Sequence, residues 1–327
     1  EISFYKNGLV FKREKFCMKN KVINTAASQL QSRRKFVFTG LQAAGAVALL
    51  SVPAISMASE FVETSNDYTV QEIIDIILKE VARPLSTETT DTIKVGNKDA
   101  KVTGVVTTMF PSVAVIYETI RLKANFIIAH EPSFYNHHDN KEFFEKNEIV
   151  EKKLQLLNDN NITIWRAHDS IHSFKPDGIT YGVVKKAGWE KYYKVGEKTF
   201  SIPAASLKDI VDHLKTKLQI KHLRVIGDLS QTCTRISLLP GAWGGKNQVN
   251  TAIQDKPDLL IVGELSEWET AEYIRDARLL GENISLVILG HAVSEEPGME
   301  WMAEWLQPKV PGLKVTHIAS NDPFIWM

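Results

Sequence analysis

The sequence predicts an α/β protein with two α/β lobes, each a mostly parallel sheet flanked by helices. Short runs of apolar and β-branched residues, closed by glycine or polar residues, indicate buried strands. These runs alternate with segments whose apolar residues recur at helical spacing, and that alternation is typical of a parallel sheet. The series occurs twice, with a turn at residues 175–178 between the two.

The first lobe is predicted over residues 59–175. Val70, Ile73 and Ile77 share one face of its first helix, and Ser112 stands where the N-cap of the second helix is expected. The predicted elements are a helix over 69–82, a strand over 102–108, a helix over 112–122, a strand ending at 130, a helix over 143–157 and a strand over 162–167.

The second lobe is predicted over residues 176–327. Gly188 ends its first helix, and Pro297 is assigned to the first turn of its last helix, a position that suits proline. The other predicted elements are a strand over 200–203, a helix over 206–218, strands over 223–226 and 236–239, a helix over 249–253, a strand ending at 264, a helix over 267–280, a strand ending at 290 and a strand over 314–318.

Residues 1–58 are predicted to be an N-terminal extension with an export signal. Residues 32–36 read Ser-Arg-Arg-Lys-Phe, an uncharged stretch follows over 37–52, and residues 56–58 are small or apolar. A basic region, a short apolar core and small residues at a cleavage site describe such a signal, and the paired arginines resemble the twin-arginine type. The apolar core is short for a membrane span, and it lacks the polar face of an amphipathic helix. We expect a periplasmic or exported protein that is free of the membrane once the signal is removed.

Composition excludes some classes of function. Residues 59–327 contain 30 basic and 37 acidic side chains and no basic block, which argues against binding to nucleic acid. Cys233 is the only cysteine in this part of the chain, so we expect no disulfide within it. The glycine-rich residues 241–245 lack the spacing of a nucleotide-binding loop.

Four of the predicted strands end on side chains that commonly bind metals. In open α/β sheets, ligands bind outside the carboxyl ends of the strands. We therefore expect one polar site between the lobes, built from distant segments that mix imidazole and carboxylate groups. The strand-end residues are His130 and Glu131, His168 and His172, Glu264, and His291 and Glu295.

Each segment taken alone has a structural explanation as well. His130 suits a core histidine bonded to backbone, and Glu295 suits a carboxylate at a helix N-terminus. The segment of His168 and His172 resembles a strand exit, which would turn only one of the two inward. His137 and its neighbour 138 lie in a polar stretch typical of a solvated loop.

Together the segments resemble the dinuclear-metal family of GTP cyclohydrolase I type 2 homologues, over residues 68–326. The most specific stretch reads Val-Gly-Glu-Leu-Ser-Glu at 262–267. It is followed by Gly-His-Ala-Val-Ser-Glu at 290–295 and by Ser-Asn-Asp-Pro-Phe at 320–324. The family's Gly-His-x-x-x-Glu ligands fall on His291 and Glu295.

Two ligand positions depart from the family pattern. The family's His-His-Pro falls on His130-Glu131-Pro132, so a glutamate replaces the second histidine. Its His-x-x-x-Asp falls on His168 and His172, so a histidine replaces the aspartate. The total of imidazole and carboxylate ligands is thereby preserved. The family's Trp-Asp-Asn type of segment is absent, and Thr-Asp-Thr-Ile stands at 90–93.

The resemblance implies a metal-dependent hydrolase of unknown substrate that holds two divalent ions of Zn, Fe or Mn. It also implies that Glu264 holds a ligand side chain without binding the metal itself. A further implication is that the chain forms a homohexamer. From its place next to His168, Asp169 is expected to support the ligands in the same way as Glu264. Export argues against cytosolic GTP as the substrate. The alternative, of a different class, is a metal-binding or scaffold protein without turnover.

Overall fold

The computed structural model describes residues 67–327 except 141, 143, 144 and 326. Within these residues the chain forms two five-stranded sheets flanked by helices, which confirms the mixed α/β fold. The predicted export signal lies outside the described residues. Among the residues that are described, no helix is both long and apolar enough to pass through a membrane.

The first sheet has the strand order β1-β4-β3-β2-β10. Strands β10, β2, β3 and β4 are parallel to one another. Strand β1 pairs antiparallel with β4 at the edge of the sheet. The strands are β1 (Ile93–Val95), β2 (Val105–Thr108), β3 (Phe126–Ala129), β4 (Thr163–Arg166) and β10 (Val315–His317). Because it has only three residues and no alternating pattern, β1 was missing from the prediction.

The second sheet has the strand order β5-β7-β8-β9-β6. Only its three central strands are parallel, while β5 and β6 close the two edges as antiparallel strands. The strands are β5 (Thr199–Ser206), β6 (Arg224–Ile226), β7 (Thr232–Leu239), β8 (Leu259–Val262) and β9 (Ser285–Ile288).

The helices cover the faces of both sheets. The first begins with a capping box in which Thr69 and Glu72 satisfy each other's backbone N–H groups. The helices are α1 (Val70–Leu78), α2 (Val113–Arg121), α3 (Glu148–Asp159), α4 (Asp169–His172), α5 (Gly178–Ala187), α6 (Leu207–Leu218), α7 (Gly245–Asp255), α8 (Glu272–Leu279) and α9 (His291–Leu306). A π-helical turn, Glu267–Ala271, precedes α8 in the segment predicted to be one helix.

The C-terminal segment returns to the first sheet. Met299, Met302 and Leu306 of α9 pack in the same core as Val70 and Ile73 of α1. Strand β10 then pairs in parallel with β2. The division of the chain at residue 175 stays a prediction, but this helix and strand tie the last part of the chain to the sheet of the N-terminal part.

Helices α5 and α9 cross at a contact that only glycine permits. A Cβ atom at Gly182 would lie 2.5 Å from both Gly298 Cα and Pro297 O. These are backbone atoms, so a side chain could be accommodated only by moving one helix away from the other.

Gly182→Ala is therefore expected to lower the free energy of unfolding by about 1–3 kcal/mol, the usual range for overpacking. Chemical denaturation measures this as a lower midpoint at unchanged slope. Lys217→Ala, on the exposed face of α6, is the control and should leave the midpoint nearly unchanged. Equal midpoints for the two variants would mean that the α5–α9 contact is loose.

Candidate metal centre

The predicted site residues come together at the carboxyl ends of strands from both sheets. His130 and Glu131 follow β3, and the segment of His168 follows β4, both in the first sheet. Glu264 follows β8, and His291 follows β9, both in the second sheet. Contacts across the cluster join the two sets, since His291 Nε2 lies 3.3 Å from Glu131 Oε1.

Three imidazoles form one side of the cluster. The His130 ring is fully buried and stacks on the His168 ring at 4.7 Å. The His172 ring lies edge-on to both, at 5.1 Å from His130 and 5.0 Å from His168. The sequence left open whether one or both of His168 and His172 turn inward, and in the structure both rings contact His130.

The reason is a short helix where a strand exit was expected. Helix α4 places His168 and His172 one turn apart on the same side. Asp91 caps it from a distant loop, accepting hydrogen bonds from the backbone N–H groups of His168, Asp169 and Ser170 at 2.9, 2.8 and 2.7 Å. Asp91 belongs to the Thr-Asp-Thr-Ile segment at 90–93, so that segment supports the site although it lacks the family's tryptophan.

Helix α9 also begins earlier than predicted. It starts at His291, directly after β9, because Gly290 adopts φ 95° and turns the chain at once. Pro297 lies inside this helix rather than in its first turn. His291 and Glu295 are therefore one helical turn apart, and His291 Nε2 lies 3.1 Å from Glu295 Oε2.

The glycine-rich loop at 241–245 makes room for Glu295. A Cβ atom at Gly241, where φ is 73°, would lie 1.9 Å from Glu295 Oε1. The Gly241 N–H also donates to Ser294 Oγ at 2.9 Å. The absence of a side chain at Gly241 thus allows the buried carboxylate to sit against the loop backbone.

Each imidazole is oriented by an acceptor at its Nδ1 atom. A ligating histidine is commonly held in this way, so that Nε2 is the ligand atom. The Nδ1 contacts are His130 with Ala167 O at 3.3 Å, His168 with Asp169 Oδ1 at 2.9 Å, His172 with Asp177 Oδ2 at 2.9 Å and His291 with Glu264 Oε2 at 3.1 Å.

Two of these acceptors are the predicted supporting carboxylates, and a third was missed. Asp169 is itself held by Thr89 Oγ1 at 2.7 Å. The sequence predicts a turn at residues 175–178, whereas in the structure Asp177 caps α5 through Oδ1, which accepts from Ile179 N at 2.9 Å and Thr180 N at 3.0 Å. Its Oδ2 remains for His172. The Asp-Gly pair before a helix indicated the cap, whereas nothing local indicated the histidine.

A buried arginine holds the glutamate that replaces the family's histidine. Arg166 is fully buried at the end of β4, and its Nη2 lies 3.2 Å from Glu131 Oε2. Its Nε donates to His130 O at 3.0 Å, and its Nη1 donates to His137 O. Asp139 Oδ2 lies 3.7 Å from Nη1. Arg166 therefore orients both residues of the His-Glu-Pro segment.

The carboxylates of the cluster stay ionised. Burial raises the pKa of Glu131, but the hydrogen bond with His291 and the charges of His130, His291 and Arg166 outweigh it and lower the pKa below its usual value. The pKa of Glu295 is lowered for a similar reason: burial raises it, and the contacts with His130 and His291 prevail. The site is thus poised to stabilise positive charge.

The pKa values of His291 and His168 shift in opposite directions. Burial lowers the pKa of His291, but hydrogen bonds to Glu131, Glu264 and Glu295 prevail and raise it to about 12. The pKa of His168 is lowered to about 4, first by burial and then by the neighbouring His130 and His172. His168 is therefore neutral at pH 7, the form in which histidine binds a metal, whereas His291 must release a proton when an ion binds.

The donor set fits a divalent cation. Two groups of three ligand atoms lie within 4.8 Å of one another, one from His130, His168 and His172 and one from His130, Glu131 and Glu295. Among the described residues, His130 Nε2 is a buried atom that makes no good hydrogen bond, since its contact with Glu295 Oε2 is long, at 3.4 Å. Leaving a buried polar atom unsatisfied is costly, and a bound cation would satisfy it.

Two sheets whose strand ends share a cluster of histidines and carboxylates define an α/β protein with a candidate metal centre. The chain belongs to the Duf34/NIF3 (NGG1p interacting factor 3) family, which it matches over residues 68–323.

Curated relatives carry the name expected from the sequence. The chain is 25% identical to a GTP cyclohydrolase 1 type 2 homolog of Clostridium acetobutylicum over 227 residues, which are 66% of this chain and 80% of the relative. It is also 25% identical to the homolog of Escherichia coli K12 over 224 residues, which are 67% of this chain and 85% of that protein. The predicted family is confirmed.

Solved structures share the fold. A Bacillus cereus protein related to NIF3 superposes with a TM-score of 0.66 at 17% identity, covering 80% of this chain and 99% of that one. A hypothetical protein of Staphylococcus aureus superposes with a TM-score of 0.65 at 18% identity, covering 79% and 99%.

Proposed function

We propose that this protein binds two divalent metal ions and uses them to hydrolyse a small-molecule substrate. The observation that carries the proposal is the buried Nε2 atom of His130, which faces the converging histidine and carboxylate ligand atoms and has only a long contact, 3.4 Å, with Glu295 Oε2. The residues proposed to hold the ions are His130, Glu131, His168, His172, His291 and Glu295. When bound, a pair of such ions lowers the pKa of a water molecule and polarises the bond to be cleaved.

The chain's own groups suit hydrolysis in two ways. Glu264 is the carboxylate of the cluster that solvent reaches most easily, with 55% of its side chain exposed against 4% for Glu295. Its pKa is lowered, first by the hydrogen bond with His291, so its carboxylate is ionised near neutral pH and can orient an entering water molecule by accepting a hydrogen bond from it. Arg166 keeps Glu131 in place while the substrate binds.

Metal content and turnover test the proposal together. Protein purified without chelator or added metal should retain about two equivalents of Zn, Fe or Mn, measured by mass spectrometry. Chelation should abolish hydrolysis of at least one compound in a panel of phosphate esters, carboxylate esters, cyclic amides and GTP, and metal should restore it. Glu264→Gln should lower kcat while the ions are retained. A protein that retains no ion after metal is supplied would contradict the proposal.

Asp177 allows the orientation of His172 to be tested separately from helix capping. In Asp177→Asn, the amide oxygen can keep capping α5, and its NH₂ group then faces His172 Nδ1. That contact favours the tautomer with a proton on Nε2, which cannot bind a metal. Metal affinity is expected to fall about 10–100-fold while the cap of α5 is kept. Asp177→Ala should show the same loss of affinity and, in addition, lose about 1 kcal/mol of stability with the cap. Unchanged affinity in both variants would remove His172 from the ligand set.

We also propose that the protein is exported and acts as a homohexamer. The support is the Arg-Arg-Lys-Phe sequence at 33–36 and the family resemblance. Replacing both arginines with lysine should retain the precursor in the cytoplasm, as detected by cell fractionation. Light scattering on the purified protein measures the assembly, and a monomer would overturn the second part.

A further inference from the structure

The ligands of the cluster are divided by chemical type. On one side, the ring centroids of His130, His168 and His172 are 4.7 to 5.1 Å apart. On the other side, the carboxylates of Glu131 and Glu295 both approach the same nitrogen, His291 Nε2, at 3.3 and 3.1 Å. Their contacts with the three-histidine side are longer, 3.8 Å from Glu131 Oε1 to His168 Nε2 and 3.4 Å from Glu295 Oε2 to His130 Nε2. One side is thus imidazole alone, and the other is mainly carboxylate.

His130 can serve only one of two ions. It belongs to both groups of converging ligand atoms, the one with two histidines and the one with two glutamates. Its Nδ1 atom is directed at Ala167 O at 3.3 Å, so only Nε2 remains for a metal. When His130 joins His168 and His172, the carboxylate pair must take its imidazole from His291, whose Nε2 already lies between Glu131 and Glu295.

The groups behind the ligands reinforce this division. Arg166 binds Oε2 of Glu131 from the protein interior, which leaves Oε1 directed at His291. On the imidazole side, Asp169 and Asp177 accept from the Nδ1 atoms and are not directed at the centre. The two departures from the family pattern, Glu131 and His172, therefore fall on opposite sides and make the sides less alike.

We infer that the centre holds two unlike ions. The imidazole position, formed by His130, His168 and His172, takes a borderline ion such as zinc. The carboxylate position, formed by Glu131, Glu295 and His291, takes a harder ion such as manganese. Imidazole favours zinc, copper, iron and nickel, whereas carboxylate favours magnesium, calcium and manganese. The inference rests on the proposed function and specifies the ion class of each position.

Manganese binding with and without zinc tests the inference. Free and bound Mn²⁺ are distinguished by electron paramagnetic resonance on the full chain after chelator has been removed. The wild type should bind about one Mn²⁺ tightly, and about one equivalent of Zn²⁺ should leave that ion bound, because zinc occupies the imidazole position. In His172→Ala, the same amount of zinc should displace the manganese, since only the carboxylate position remains. Glu131→Gln should weaken Mn²⁺ binding about tenfold or more.

Controls separate the possible failures. His138→Ala, an exposed histidine outside the cluster, should behave as the wild type. Glu295→Gln and His168→Ala report on the same two positions if Glu131→Gln or His172→Ala does not fold by circular dichroism. Displacement of Mn²⁺ by one equivalent of zinc from the wild type would overturn the inference while leaving metal binding intact. A wild type that binds neither ion would overturn the proposed function itself.

Discussion

His130→Ala is expected to remove about one of the two metal ions from the cluster. The His130 ring is fully buried, contacts both other histidines of its group and lies 3.4 Å from Glu295 Oε2 through Nε2. Retained metal should fall from about two equivalents to about one or fewer. Mass spectrometry of protein purified without chelator measures this directly.

Thermal unfolding provides a second measurement of the same prediction. An ion that binds only the folded chain stabilises it by mass action, so zinc should raise the Tm of the wild type. The Tm of His130→Ala should respond much less to zinc, and that of His138→Ala should respond as the wild type does. His291→Ala should also lose metal, because its Nε2 contacts both glutamates. Retention of both ions by His130→Ala and His291→Ala would show that the cluster is not the binding site.

Arg166→Met is expected to cause the largest loss of stability. The substitution would leave the Glu131 carboxylate, only 11% exposed, without its buried cation and would also weaken the contact with Asp139. Removing one partner of a buried ion pair usually costs about 3–5 kcal/mol, and because His291 still contacts Glu131, a loss near the lower end of that range is expected. Urea denaturation with the protein free of metal measures the change.

Arg121→Met is the matched comparison for this substitution. Arg121 pairs with Glu118 on the surface of α2, where solvent screens both charges. Its replacement should leave the denaturation midpoint within experimental error. The double variant Arg166→Met/Glu131→Gln should recover part of the loss, since it removes the uncompensated carboxylate as well. Equal midpoints for Arg166→Met and the wild type would mean that Arg166 does not stabilise the ionised Glu131 carboxylate.

The sequence predicted the elements whose pattern is local. The apolar runs before His130, Glu264 and His291 are strands, because a buried parallel strand needs a continuous apolar run whatever surrounds it. Local pattern failed where three or four residues are held by a distant group. Strand β1 and helix α4 have no periodicity of their own, and the helix depends on a cap from Asp91, 77 residues before His168.

The amino-acid sequence by itself determined that histidines and carboxylates stand at strand ends. These residues directly follow apolar runs, and the runs alone predict the strands. Tertiary structure decided how they are arranged. It turned both His168 and His172 towards His130, placed Asp177 behind His172, and brought Arg166 against Glu131. Each of these contacts depends on how separate helices, strands and loops pack together. The order of residues along the chain does not state how far apart their side chains lie after packing.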